Sequence, residues 1–125
     1  MNLLSADEIR VLTEVGFVAA GRGDVQRAER IFSALQRLRP HRAFAYIGQA
    51  MAYMNTGRSE DSAKILGHAV GSVDPDERAE IEAFRGLALQ LAGRTSESLR
   101  ALRAAASSSS LAQAMLGESE AACSR

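Results

Sequence analysis

Tryptophan is absent from the 125 residues, cysteine and lysine occur once each, at Cys123 and Lys64, and proline occurs twice, at Pro40 and Pro75. A single cysteine excludes an internal disulfide, so packing alone must hold the fold, and it fits a reducing compartment. Two prolines leave long stretches free to form helix. The longest uncharged stretch, 43–57, contains Gln49 and Asn55 and is too short to span a bilayer. The chain reaches Asp7 and Glu8 before any useful apolar run, which predicts no signal peptide and a cytoplasmic protein. Neither charge is in excess, with 15 basic and 15 acidic residues. A neutral balance gives no support to nucleic-acid binding, which needs many phosphate-neutralising side chains.

What is present is apolar and periodic. Hydrophobic residues make up 46% of the chain, enough for one domain with a core of its own. Gly57, Ser62 and Leu66 stand 34 residues after Gly23, Ala28 and Phe32, and Gly93, Ser98 and Leu102 stand 36 residues later again. A turn glycine, a small residue five on and a bulky apolar residue four further, repeated at such a period, signify stacked helix hairpins. The charges are segregated. Seven arginines between Arg22 and Arg58 face two acids, and seven acids between Glu60 and Glu82 face Lys64 and Arg78. Such a layout suits neighbouring helices or a charged partner.

Taken in order, Ser5 and Glu8 form a capping box that opens a helix from about 6 to 20, with Leu12, Val15, Gly16 and Ala19 as its stripe. Gly21 and Gly23 end it, Asp24 caps the next helix, and Pro40 stops that one. The second pair is expected from Arg42 to Asn55 and, capped by Ser59, on to Gly71. Asp74 and Pro75 restart the chain for a helix to Ala92, and Thr95 caps a helix from Ser96 to Ala106. A capping box at Ser110 and Gln113 opens a last helix over 111–122, with Leu111, Ala114 and Met115 covering the final apolar face.

These residues resemble the tetratricopeptide repeat. Its pattern is met by Leu12, Val15, Gly16, Ala19, Gly23, Ala28, Phe32 and Pro40 in the first unit. The second offers Tyr46, Gln49, Ala50, Tyr53, Gly57, Ser62 and Leu66, and the third Gly86, Leu89, Gly93, Ser98 and Leu102. The third unit departs by placing Glu82 and Arg85 at apolar positions. The resemblance implies an all-α, right-handed helix-hairpin solenoid of three pairs plus a capping helix, the units falling at about 9–42, 43–76 and 77–110.

No catalytic or metal-binding constellation stands out. His41 and His68 are isolated, and no partner completes a metal-ligand spacing. No cofactor is expected, and the chain does not read as an enzyme. Stacked hairpins expose a groove along the first helix of each pair. Family geometry places Arg10, Thr13, Phe17 and Ala20 there, then Phe44, Ile47, Met51 and Met54, then Glu80, Ala83, Leu87 and Gln90. The methionines and phenylalanines make a soft apolar surface suited to an amphipathic helix. The carboxylate clamp of heat-shock-binding members is missing: Thr13, Phe17, Gly48, Glu80 and Phe84 occupy its places. In size and apolar groove the chain is similar to the small tetratricopeptide chaperones of bacterial type III secretion, the YscG/PscG-like class. That similarity implies a partner in the helix of a secreted needle or filament subunit, with a small helical co-chaperone beside it. A structural adaptor, including a homodimer whose grooves cover each other, is the alternative.

Overall fold

The computed structural model describes residues 4–123, with side chains described for 4–117. It is all-helical, with no strand among the described residues. The helices are α1 (Ala6–Gly21), α2 (Val25–Leu38), α3 (Phe44–Met54), α4 (Ser59–Ala69), α5 (Arg78–Leu91), α6 (Thr95–Ala105) and α7 (Ser110–Cys123). A 3₁₀ turn at Pro75–Glu77 leads into α5. No helix among the described residues is long and apolar enough to cross a membrane.

Three short turns, closed in the same way, fold α1 onto α2, α3 onto α4 and α5 onto α6. Gly23, Gly57 and Gly93 take φ of 73°, 78° and 82°, a region that L side chains enter only at a cost. The amide after each glycine donates back across six residues: Asp24 to the Ala19 carbonyl at 2.9 Å, Arg58 to Tyr53 at 2.8 Å and Arg94 to Leu89 at 2.8 Å. Each glycine amide closes a shorter bond inside it, to Ala20, Met54 and Gln90. Carbonyls orphaned at the helix ends are thereby satisfied by the turn itself.

Helix starts are less uniform. Ser5 and Glu8 form the expected capping box, and Asp24 accepts from the Arg27 amide. Ser59 and Thr95 do not cap. They are the first residues of α4 and α6, and Arg58 and Arg94 hold the cap positions without a side-chain capping bond to the helix backbone. Asp74 also makes no capping bond, because the chain enters a 3₁₀ turn at Pro75 and α5 starts at Arg78. At α7 the cap is Ser109 instead of Ser110: its hydroxyl accepts from the Ala112 amide. Gln113 reaches back to the Ala106 carbonyl.

Burial proceeds in overlapping layers, each shared by three consecutive helices. Ala28, Phe32 and Leu35 of α2 pack with Ala19 and Ala20 of α1 and with Ala45 and Ala52 of α3. Ile47 and Ala50 meet Leu66 and Ala69 of α4 and Ile81 of α5. Ala63, Ala88, Leu89 and Ala101 form the next layer, and Ala83, Leu102, Ala105 and Ala112 the last. In α7 it is Ala112, Leu111, Met115 and Leu116 that cover the last layer, while Ala114 is exposed. In α1, Gly16 and Ala19 face inward, but Val15 is 45% exposed and lies off the buried stripe.

Small residues set the spacing between helices. The Phe32 ring lies against Gly48 and Gly16, so that a Cβ at either site would overlap it. Gly86 accommodates Leu102 in the same way, its missing Cβ falling 2.5 Å from Leu102 Cδ2. The loops between hairpins are tied as well. Asp74 donates its amide to the His41 carbonyl at 2.9 Å, and His41 Nδ1 lies 3.2 Å from the Ser72 carbonyl, a contact that needs the hydrogen on Nδ1. Glu77 takes the Arg42 guanidinium at 3.1 Å and accepts from the Ala43 amide, which supplies the cap that α3 lacks locally.

Candidate functional site

The first helices of the three hairpins pack directly on one another, α1 on α3 and α3 on α5. The repeat offsets make Phe17, Met51 and Leu87 equivalent positions on these helices. All three are half-buried, each leaving part of an apolar side chain in water. Phe17 meets the Phe32 ring edge-on, centroids 5.1 Å apart at 70°, which fixes its orientation. Met51 packs against both the first and second core layers, and Met54 against the second and third. Phe44 is half-buried against the first layer.

The equivalent row one turn earlier sinks along the chain. Thr13 is half-buried and donates its hydroxyl to the Ile9 carbonyl at 2.7 Å. Ile47 is 4% exposed and Ala83 is fully buried. These two support the row from beneath and offer it no surface. Ala20 is likewise buried, its carbonyl taking a hydrogen bond from Asn55. Arg10, Glu80 and Gln90 are exposed at the margins, Arg10 beside Asp7 at 3.9 Å. Next to the row, Glu80, Ala83 and Phe84 line a hollow of about 420 Å³ with Ser108, Ser109 and Leu111.

Elsewhere several polar side chains are engaged with one another. Gln36 donates to Gln49 at 2.6 Å and to the Ala45 carbonyl at 3.3 Å. Gln49 donates to the Tyr53 hydroxyl, which donates to Glu29 at 2.8 Å. The Arg58 guanidinium lies 4.3 Å above the Tyr53 ring. Burial pushes the Tyr53 hydroxyl above its ordinary pKa, so it remains a donor at neutral pH. Farther along, Arg94 bridges Glu60 at 2.8 Å and Glu97 at 3.1 Å, and Arg85 pairs with Glu82 at 3.2 Å. Thus the two charged residues that interrupt the third unit neutralise each other, each partly buried. Satisfied pairs of this sort hold helices together and leave little for a polar ligand.

His41 and His68 are both exposed. Among the described residues no three His, Cys, Asp or Glu side chains gather at metal-ligating distance. The side chain of Cys123 falls outside those described.

One apolar feature went unread in the sequence. Val11, Val15 and Val18 form an exposed stripe on the outer face of α1, with a shallow hollow of about 400 Å³ lined by Leu4, Asp7, Glu8, Val11, Leu12 and Val15. Their spacing of four and three residues was visible. Without a partner to place, however, nothing distinguished an outer stripe from the inner one. Comparison of the chain with protein-family models, curated proteins and solved structures returns no match.

Proposed function

We propose that this chain is a non-catalytic, tetratricopeptide-like array of three hairpins that holds an amphipathic helix of another protein. The observation that carries the reading is the row Phe17, Met51 and Leu87: equivalent positions on three stacked helices, each apolar and each only half-buried. Core packing would have sunk all three, as it did Ile47 and Ala83. A helix laid along the row would gain contacts at intervals of one hairpin, with Met51 and Met54 adapting to its side chains. An interface of standard size removes on the order of 1,500 Å² of surface, and its apolar centre dominates affinity.

In size and surface character this arrangement suits a chaperone of the type III secretion kind, with the helix of a needle or filament subunit as cargo. The test is co-expression with candidate needle or filament subunits, followed by titration of the isolated helix. Met51→Glu combined with Leu87→Glu is expected to weaken capture by at least about tenfold, as loss of central apolar anchors does. Far-ultraviolet circular dichroism should be unchanged, because both side chains already reach water. Capture at undiminished affinity would refute the assignment of the row.

A further inference from the structure

The valine stripe of α1 has counterparts in the other hairpins. Val11, Val15 and Val18 correspond by the 34-residue offset to Ala45, Gln49 and Ala52, and by a further 36 residues to Ile81, Arg85 and Ala88. In those hairpins the face is a joint: Ala45 is 0% exposed, Ala52 1%, Ile81 0% and Ala88 0%. In α1 the same positions are 54%, 45% and 53% exposed. The outer face of a terminal hairpin is ordinarily polar, since nothing stacks on it. Here a stacking face has kept its apolar character without a neighbour among the described residues.

We propose that this face is the interface of a two-fold symmetric dimer of the chain, α1 packed antiparallel on its copy. The opposite end of the array argues for symmetry. There α7 covers Ala83, Leu102 and Ala105 with Ala112, so among the described residues no open counterpart of the valine face is left for a head-to-tail stack. A face that pairs with itself must do so about a two-fold axis. Charge fixes the direction. Asp7 and Glu8 flank the start of the stripe, and Arg22 closes its end; all three are exposed. An antiparallel pairing centred between Glu14 and Val15 sets Val11 against the partner's Val18 and Asp7 against the partner's Arg22. A parallel pairing would oppose like charges. The 16 residues of α1 extend about 24 Å. Two such helices cover on the order of 800 Å², below the roughly 1,200 Å² where stable specific interfaces begin and in the range of weak, transient ones. Glu14 of each copy lies near the axis and opposes the contact, so the dimer is weak and reversible.

This inference is independent of the groove, and its test leaves the groove intact. Sedimentation of the 125-residue chain from about 1 to 500 µM in low salt should show dimerisation with a midpoint on the order of tens of micromolar. Added salt should weaken it. Val15→Asp with Val18→Asp should leave a monomer across the range with unchanged helicity, both positions being in solvent. Arg22→Glu alone should weaken association several-fold, and Asp7→Arg added to it should restore it. Met51→Glu with Leu87→Glu should have no effect. A wild-type chain that stays monomeric overturns the proposal. So does a dimer indifferent to the valines, or a charge exchange that fails to restore pairing. Capture of a foreign helical protein on the valines, with the chain alone remaining monomeric, overturns it as well.

Discussion

Two buried serines at equivalent positions separate the effect of a hydrogen bond from that of burial. Ser98 Oγ donates to the Gly86 carbonyl at 2.7 Å, whereas Ser62 Oγ is buried with no partner. A desolvated hydroxyl without a partner costs free energy, and a bonded one gains about 1 kcal/mol. Ser62→Ala is therefore expected to leave stability unchanged or raise it by up to about 1 kcal/mol. Ser98→Ala should lower it by about 1 kcal/mol, both read by urea denaturation. Two glycines make a similar pair. Gly48 lies under the Phe32 ring, so Gly48→Ala must displace an aromatic in a full core and should cost about 1–3 kcal/mol. Gly57 has open space around its missing Cβ, so Gly57→Ala should cost about 1 kcal/mol through its φ of 78° alone. Glu8 provides the pH-dependent case. Hydrogen bonds from Ser5 lower its pKa below the ordinary 4.5, so its cap contributes above that value and is lost as pH falls through the depressed one. The protection factors of amides at the start of α1, taken relative to the intrinsic exchange rate at each pH, should fall in that acid window and should not fall there in Glu8→Gln.

At the level of helices and turns, local chemistry was legible wherever one short segment decided the outcome. The three turn glycines, the Ser5 box and the Asp24 cap depend on residues within a few positions of one another. The misread caps failed for a definable reason. The six-residue closure of each turn makes the residue after the glycine both the last of the turn and the cap of the next helix. Asp24 fills that place in the first hairpin, and Arg58 and Arg94 must fill it in the others, whatever serine or threonine follows. Their side chains turn instead to Asp61 at 2.9 Å and to Glu60 and Glu97. The α3 cap was invisible for the opposite reason: Glu77, its acceptor, stands 34 residues away. Glu77→Ala should cost about 1–2 kcal/mol, the range of a lost helix cap, measured by thermal or urea unfolding. Removing Glu60, whose pair with Arg94 is exposed, should cost less than about 1 kcal/mol.

For the molecule as a whole, the repeat offsets anticipated the all-helical fold. They did not anticipate which neighbours would be submerged. Ile47 and Ala83 look like surface candidates by position, and the layer above decides otherwise. The proposed helix capture and the proposed α1 dimer use different faces, so simultaneous binding should be observable as a complex of two chains with two helices. The ties between loops bear on how such a body comes apart. Because the segment before α3 is fastened to the segment before α5 through His41, Asp74 and Glu77, the middle hairpin has no free end from which to peel. Denaturation should accordingly pass through a single sharp transition spanning all three hairpins, instead of eroding from one terminus. Cutting the lashing at Glu77 should make the loss of structure gradual.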